Sequence, residues 1–257
     1  MSIDESARIH PEAEIDEGVT IGPWCWIGPG VQIGAATVLE PNVIIRANTR
    51  IGRNNHFYQF SSIGEDPADK KFEGEETWLE IGSDNIFREG VTAHRGTGVG
   101  GGVTRIGDDN LMMPYVHIAH DCQVGSHTVF ANNVGISGHV LVDDWVILGG
   151  YAGVNQFLKI GAHAMIGGMT HVSNDVPAFM IVSGRPATVR SINAIGLERR
   201  GYGKDVIAEI REAFKILYKR NFSLQEAIDQ IKVMSESCPQ LEILVGSLES
   251  SEKGIHR

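Results

Sequence analysis

A period of six runs through most of the chain and constrains its fold more than any other feature. Aliphatic or large apolar residues stand at Ile9, Ile15, Ile21, Ile27, Ile33, Leu39, Ile45, Ile51, Phe57 and Ile63 without a slip. Glycine follows at Gly22, Gly28, Gly34, Gly52 and Gly64, and a small or β-branched residue often takes the fifth place, as at Val19, Val31, Thr37, Val43 and Thr49. Six residues suit a short strand plus a tight corner, with the apolar side chain inward and Gly or Asn at the corner tolerating positive φ. Three such units close one triangular coil, and coils stack at the strand spacing of about 4.8 Å.

The phase breaks in the charged stretch 65–80, resumes at Ile81, Phe87 and Ala93, and breaks again in the glycine-rich Gly96–Gly102 and its surroundings at 96–104. It then holds from Ile106 through Ile118, Val124, Phe130 and Ile136 to Val172. Both breaks are expected to be excursion loops on a prism of roughly eight or nine coils. From about Ser191 the spacing turns helical: Ile207, Ile210, Phe214 and Leu217, then Leu224, Ala227, Ile228 and Ile231. Ser223 with Glu226 makes a capping box. The expected division is a parallel β-helix over 1–190 and an α-helical domain over 191–257 that covers the last coil.

Charge excludes one class of partner and points to another. The 257 residues carry a formal charge of −10, which argues against a nucleic-acid binder. Lys and Arg number 12 against 22 acidic residues over 1–190, but 7 against 4 over 191–220. That local excess suits an acidic partner. Cys25, Cys122 and Cys238 are far apart and outside any CxxC spacing, so neither a disulfide framework nor a zinc site is expected. No basic leader and no long apolar run occurs, so a cytoplasmic protein not integral to a membrane is expected.

The candidate chemistry centres on His117-Ile118-Ala119-His120-Asp121-Cys122. Positions three apart fall on different parts of a strand and corner, which argues against His117 and His120 sharing a metal, and none is expected. From the repeat alone, a surface histidine on a corner is the simpler reading of His120. His94, His139, His163 and His171 show that solenoid histidines need not be catalytic. What favours chemistry is adjacent Asp121 and the polar residues Asn132, Asn133, His139, Asn155 and Gln156 recurring at coil spacing.

Further motifs are specific: His94-Arg95-Gly96-Thr97, Ala131-Asn132-Asn133, Gly138-His139-Val140, Val142-Asp143-Asp144, Gln156-Phe157, Gly161-Ala162-His163 and Gly196-Leu197-Glu198-Arg199-Arg200-Gly201. With the histidine motif they make the chain resemble, over essentially its whole length, the acyl-acyl-carrier-protein:UDP-N-acetylglucosamine acyltransferases that begin lipid A synthesis. The resemblance implies left-handed coils, a homotrimer, and transfer of an (R)-3-hydroxyacyl chain to the 3-position of the sugar. No cofactor is implied beyond the acyl carrier protein thioester as co-substrate.

The resemblance implies that His120 is the general base, that Asp121 orients it, and that the Gly138 N–H faces the oxyanion. It places Asp69, Lys71, His117, His139 and Gln156 around sugar or acyl groups, Asn193 and Arg199 at the uridine diphosphate end, and Gly168 where the acyl groove passes, bearing on chain length. Arg200, Lys204, Arg211 and Lys215 are expected to dock the acidic carrier. Two departures from the family pattern stand out: Asn155 where a histidine is usual, and Ala93 where an isoleucine is usual. Asn155 keeps open N-acylation of a UDP-3-amino sugar. A coenzyme A-dependent sugar acetyltransferase and a non-catalytic trimeric scaffold are the other readings. The basic helical region speaks against the first of these, and the His120-Asp121 pair against the second.

Overall fold

A computed structural model describes residues 2–256. Short parallel strands, mostly two residues long, recur every six residues and stack into three sheets of eleven, nine and eight strands. The chain visits the sheets in rotation: Leu111–Met112 in sheet I, His117–Ile118 in sheet II, Gln123–Val124 in sheet III, then Val129–Phe130 back in sheet I. Equivalent residues of adjacent coils pair in register, 18 residues apart, as in His117 with Gly135 and Gln123 with Leu141. The result is a left-handed parallel β-helix. Its interior is the row of inward apolar residues, with Phe57 and Phe87 fully buried and stacked at 4.6 Å. Ala93 belongs to this row, fully buried and paired with Ile63 and Ile118.

The corners differ from the sequence expectation. Glycines after the inward residue mostly do not adopt positive φ; they are there because the next coil passes too close for a side chain. A Cβ on Gly34 would lie 2.6 Å from the Gly52 carbonyl carbon, and one on Gly52 would lie 2.6 Å from the Gly82 oxygen. Positive φ falls three residues after the inward position, and it is taken by Trp24, Tyr115, His127, Trp145, Tyr151, Phe157 and His163 as readily as by Asn42 or Asn48. Bulky residues ordinarily avoid this region at a cost of about 1–2 kcal/mol. Here the turn is imposed by the coil, and rings on successive coils stack: His127 on Trp145 at 4.1 Å, and His139 on Phe157 at 4.4 Å.

Excursions leave the prism between Glu65 and Trp78, and between His94 and Val103, where Gly98–Gly100 form one 3-10 turn. The solenoid ends in an antiparallel hairpin, Met180–Ser183 with Thr188–Ile192, so regular strand persists to 192, just past the expected boundary at 190. Four helices follow: α1 Ala194–Arg199, α2 Lys204–Tyr218, α3 Leu224–Ser235 and α4 Leu241–Glu249. The Ser223/Glu226 capping box opens α3. Ile207, Ile210, Phe214 and Leu217 form the buried stripe of α2. The segment after α4 returns to the last coil, where buried Asp175 accepts hydrogen bonds from Ser251 Oγ at 2.7 Å and from the Lys159 N–H at 2.8 Å.

Candidate active site

His120 and Asp121 occupy the corner between sheets II and III. Asp121 takes the positive-φ position (φ 60°), which swings its carboxylate back beside the preceding side chain. His120 Nδ1 lies 2.8 Å from Asp121 Oδ2. Asp121 is 4% exposed and its oxygens also accept from the Thr97 N–H and hydroxyl. A carboxylate so engaged accepts from Nδ1–H, which leaves Nε2 of His120 as the proton acceptor. The ring lies against Gly138 on the next coil, where a Cβ would come within 2.6 Å of its Cε1. Gly138 is therefore glycine for the imidazole's sake, and its corner N–H donates no hydrogen bond among the described residues.

His139 follows one coil on, its ring edge-on to His120 at 5.1 Å and its Nε2 3.7 Å from Asp121 Oδ2. The ligating atoms of His120, Asp121 and His139 thus lie within 4.8 Å of one another, a trio different from the His117/His120 pair considered on spacing. A cation bound there would have to displace the Nδ1 hydrogen bond. His117 stands on sheet II, its Nδ1 2.7 Å from Thr92 Oγ1 and its ring edge-on to His94. Burial, then the neighbouring His94 and His120, lower its pKa to about 4, and burial also lowers that of His94. Both are neutral groups, suited to hydrogen bonding rather than to charge.

The other candidates fall into separate places. Asp69 and Lys71 lie in the first excursion, where the Lys71 N–H donates to Asp69 Oδ1 at 3.0 Å. Arg95 anchors that loop through an ion pair to Asp66. Asn155 and Gln156 are exposed beside Phe157 and share a shallow pocket with Ser137 and Lys253; Lys253, whose ammonium lies 5.6 Å from the Phe157 ring centre, was not foreseen from sequence. Gly168 is exposed at the corner between sheets I and II, the far edge of sheet II from His120.

A groove of about 960 Å³ lies between sheet I and the helices, floored by Ile147, Met165 and Phe214. Arg199, Arg211, Lys215 and Lys219, all part of the basic run read from sequence, line it. Lys204 is exposed at the start of α2 and does not line it. Two of the expected residues also bond within the chain: Asn193, which lines the groove beside Arg199, and Arg200. Asn193 is 3% exposed, caps α1 by accepting from the Gly196 N–H and donates to the His163 carbonyl. Arg200 turns inward to His163 Nδ1 at 3.1 Å and over Trp145 at 5.2 Å, so it is not part of a free docking face.

Known proteins share this sequence and this architecture. Residues 103–138 match the bacterial transferase hexapeptide model and residues 175–256 the model for domain 2 of UDP N-acetylglucosamine O-acyltransferase. The acyl-[acyl-carrier-protein]–UDP-N-acetylglucosamine O-acyltransferase of Stutzerimonas stutzeri is 45% identical over 212 residues, 82% of each chain. LpxA from Acinetobacter baumannii superposes with a TM-score of 0.97 at 49% identity over 99% of both chains. The Moraxella catarrhalis UDP-N-acetylglucosamine O-acyltransferase gives 0.98 at 44% identity over the full length of both. With sequence, coil architecture and helical domain all in agreement, this chain belongs to the acyl-[acyl-carrier-protein]–UDP-N-acetylglucosamine O-acyltransferases.

Proposed function

We propose that the protein transfers an (R)-3-hydroxyacyl group from the thioester of acyl carrier protein to the 3-hydroxyl of UDP-N-acetylglucosamine, the entry step of lipid A synthesis. The observation that carries the proposal is the Nδ1–Oδ2 contact of 2.8 Å between His120 and fully enclosed Asp121. His120 Nε2 takes the proton of the sugar hydroxyl as its oxygen attacks the thioester carbonyl, and Asp121 supports the imidazolium that forms. The carbonyl oxygen becomes an oxyanion facing the free Gly138 N–H. Collapse of the intermediate forms the ester, breaks the carbon–sulfur bond and returns the proton from Nε2 to the departing thiolate. Every group needed is supplied by side chain, backbone or substrate, so the reaction calls for no cofactor.

The same reading calls for a homotrimer. In one chain the basic groove on sheet I and Gly168 lie away from the His120 edge, so a substrate reaching all three lies between subunits. Along the I–II edge Trp24, Phe60, Tyr115, Tyr151 and Met169 are each 61–69% exposed, an apolar stripe of the kind that subunit contact covers. No described helix is long and apolar enough to cross a membrane, and all three cysteines are buried free thiols, which fits a reducing cytoplasm.

The test is turnover of purified protein with a panel of acyl carrier thioesters and two acceptors, UDP-N-acetylglucosamine and its 3-amino analogue. The hydroxyl sugar is expected to be preferred, and His120→Ala to lose activity by at least about 10²-fold. Preference for the amino sugar, together with recovery of hydroxyl transfer by Asn155→His, would instead assign the acceptor to exposed Asn155.

A further inference from the structure

The glycine-rich loop between His94 and Val103 has no part in the acyl-transfer scheme above, yet it is built around the scheme's carboxylate. Thr97 is 1% exposed. Its N–H donates to Asp121 Oδ1 at 2.8 Å and its hydroxyl to Asp121 Oδ2 at 2.7 Å, the same oxygen that receives His120 Nδ1. The Thr97 hydroxyl oxygen in turn accepts from the Gly100 N–H at 3.1 Å, which leaves its own hydrogen pointing at the carboxylate. Gly100 lies so close over Asp121 that a Cβ there would overlap the carboxyl group. From the outer side the loop is held by the Gly98 N–H donating to Glu75 Oε1 at 2.9 Å. The Asp121 backbone N–H is fixed separately, on Thr104 Oγ1 at 2.7 Å.

Two imidazoles compete for Asp121 Oδ2: His120 Nδ1 at 2.8 Å and His139 Nε2 at 3.7 Å. A carboxylate on a two-torsion stem has no intrinsic reason to prefer the first. We propose that Thr97 is a positioning residue for the general base. Its paired donors lock both Asp121 oxygens, so that Oδ2 serves His120 and His139 is left outside the pair. The inference rests on the reading of His120 as the base. It adds a residue that touches neither substrate nor reacting atoms and acts through Asp121, as partners of ligating side chains do.

The full-length protein is tested as Thr97→Val and Thr97→Ser. Valine preserves shape and suits the extended backbone at φ −113°, ψ 154°, but loses the hydroxyl; serine keeps it. Thr97→Val is expected to lower kcat on the order of 10–100-fold, the usual scale for supporting partners, with KM for both substrates moving less than about threefold. Thr97→Ser is expected to restore kcat. The Nδ1–H proton of His120, followed by NMR in substrate-free protein, is expected as a sharp downfield signal in the parent and Ser proteins. In the Val protein it is expected to be broadened by exchange. Wild-type kcat in the Val protein overturns the proposal. So does a kcat loss with the Nδ1–H signal unchanged, or a loss that tracks a lowered melting temperature and is not relieved by serine. Activity surviving in His120→Ala overturns the base assignment instead, while the NMR readout still reports whether Thr97 orders the pair.

Discussion

His163 shows at one residue how burial fixes chemistry. Its ring lies between Trp145 and Phe179, and the helical domain supplies partners to both nitrogens, Arg200 Nη1 to Nδ1 and Tyr202 Oη to Nε2, each at 3.1 Å. Guanidinium only donates, so Nδ1 is the acceptor and Nε2 carries the hydrogen. Burial, and then the Arg200 charge, lower the pKa to about 4. The folded state therefore holds His163 neutral while the unfolded chain protonates near 6.5. The stability it contributes is intact above about pH 6.5 and drains away as pH falls toward 4, about 3 kcal/mol in all. Urea unfolding of the parent and of His163→Phe, which stacks but does not titrate, is expected to show the parent's advantage shrinking by at least about 2 kcal/mol between pH 7.5 and 4.5. A pH-independent difference would place the titration elsewhere. At this scale the sequence was partly legible. Adjacent His120 and Asp121 could be paired on paper because one corner holds both. Thr97 could not be tied to Asp121, nor Asn193 and Arg200 to His163, because those partners are fixed by contacts across 24 to 37 residues.

Elements in this chain are too short to be stable alone, so each coil depends on bonds to the next. Beneath the III–I corner a buried side-chain ladder does part of this. Asn55 Oδ1 accepts from the Asn85 N–H, Asn85 Oδ1 from the Asn110 N–H, and Asn110 Oδ1 from the Thr128 N–H, at 2.7–3.0 Å. Asn85 Nδ2 also donates to the Gly107 carbonyl at 2.9 Å. Asn85→Ala removes the partner of the buried Asn110 N–H and of the partly buried Gly107 carbonyl at once, and a buried group left unsatisfied costs about 1–3 kcal/mol. A loss of about 2–4 kcal/mol in denaturant unfolding is expected; a loss below about 0.5 kcal/mol, the range of a plain surface change, would mean water replaces the amide. The six-residue period made the inward row and the sheet class readable, since only side-chain direction was needed. The ladder was not readable, because an asparagine at a corner looks like an ordinary turn residue. The aromatic corners escaped for a related reason: local propensity disfavours them, and stacking between coils overrides it.

On the scale of the whole molecule, charge is distributed against its net sign. The chain is acidic overall, yet the groove between sheet I and α2 carries Arg199, Arg211, Lys215 and Lys219 over an apolar floor. Under the proposed function, an acidic carrier is expected to be drawn to that rim. Rim charges act mainly on encounter and are screened beyond about 8 Å at 0.15 M salt. The double reversal Arg211→Glu and Lys215→Glu is expected to raise KM for acyl carrier protein about tenfold or more at low salt. KM for the UDP-sugar is expected to move less, because neither substituted residue is among those expected to meet the acceptor. Raising salt should weaken the parent and leave the variant nearly indifferent, so the two converge. Lys215 also pairs with Glu212 at 3.1 Å, an exposed i,i+3 bridge worth little to folding, so the reversal is not expected to unfold α2. Unequal rises separate the outcomes. If KM rises for both substrates, the groove belongs to the acceptor's diphosphate; if for neither, the carrier docks on another face and the basic excess of 191–220 has a different use.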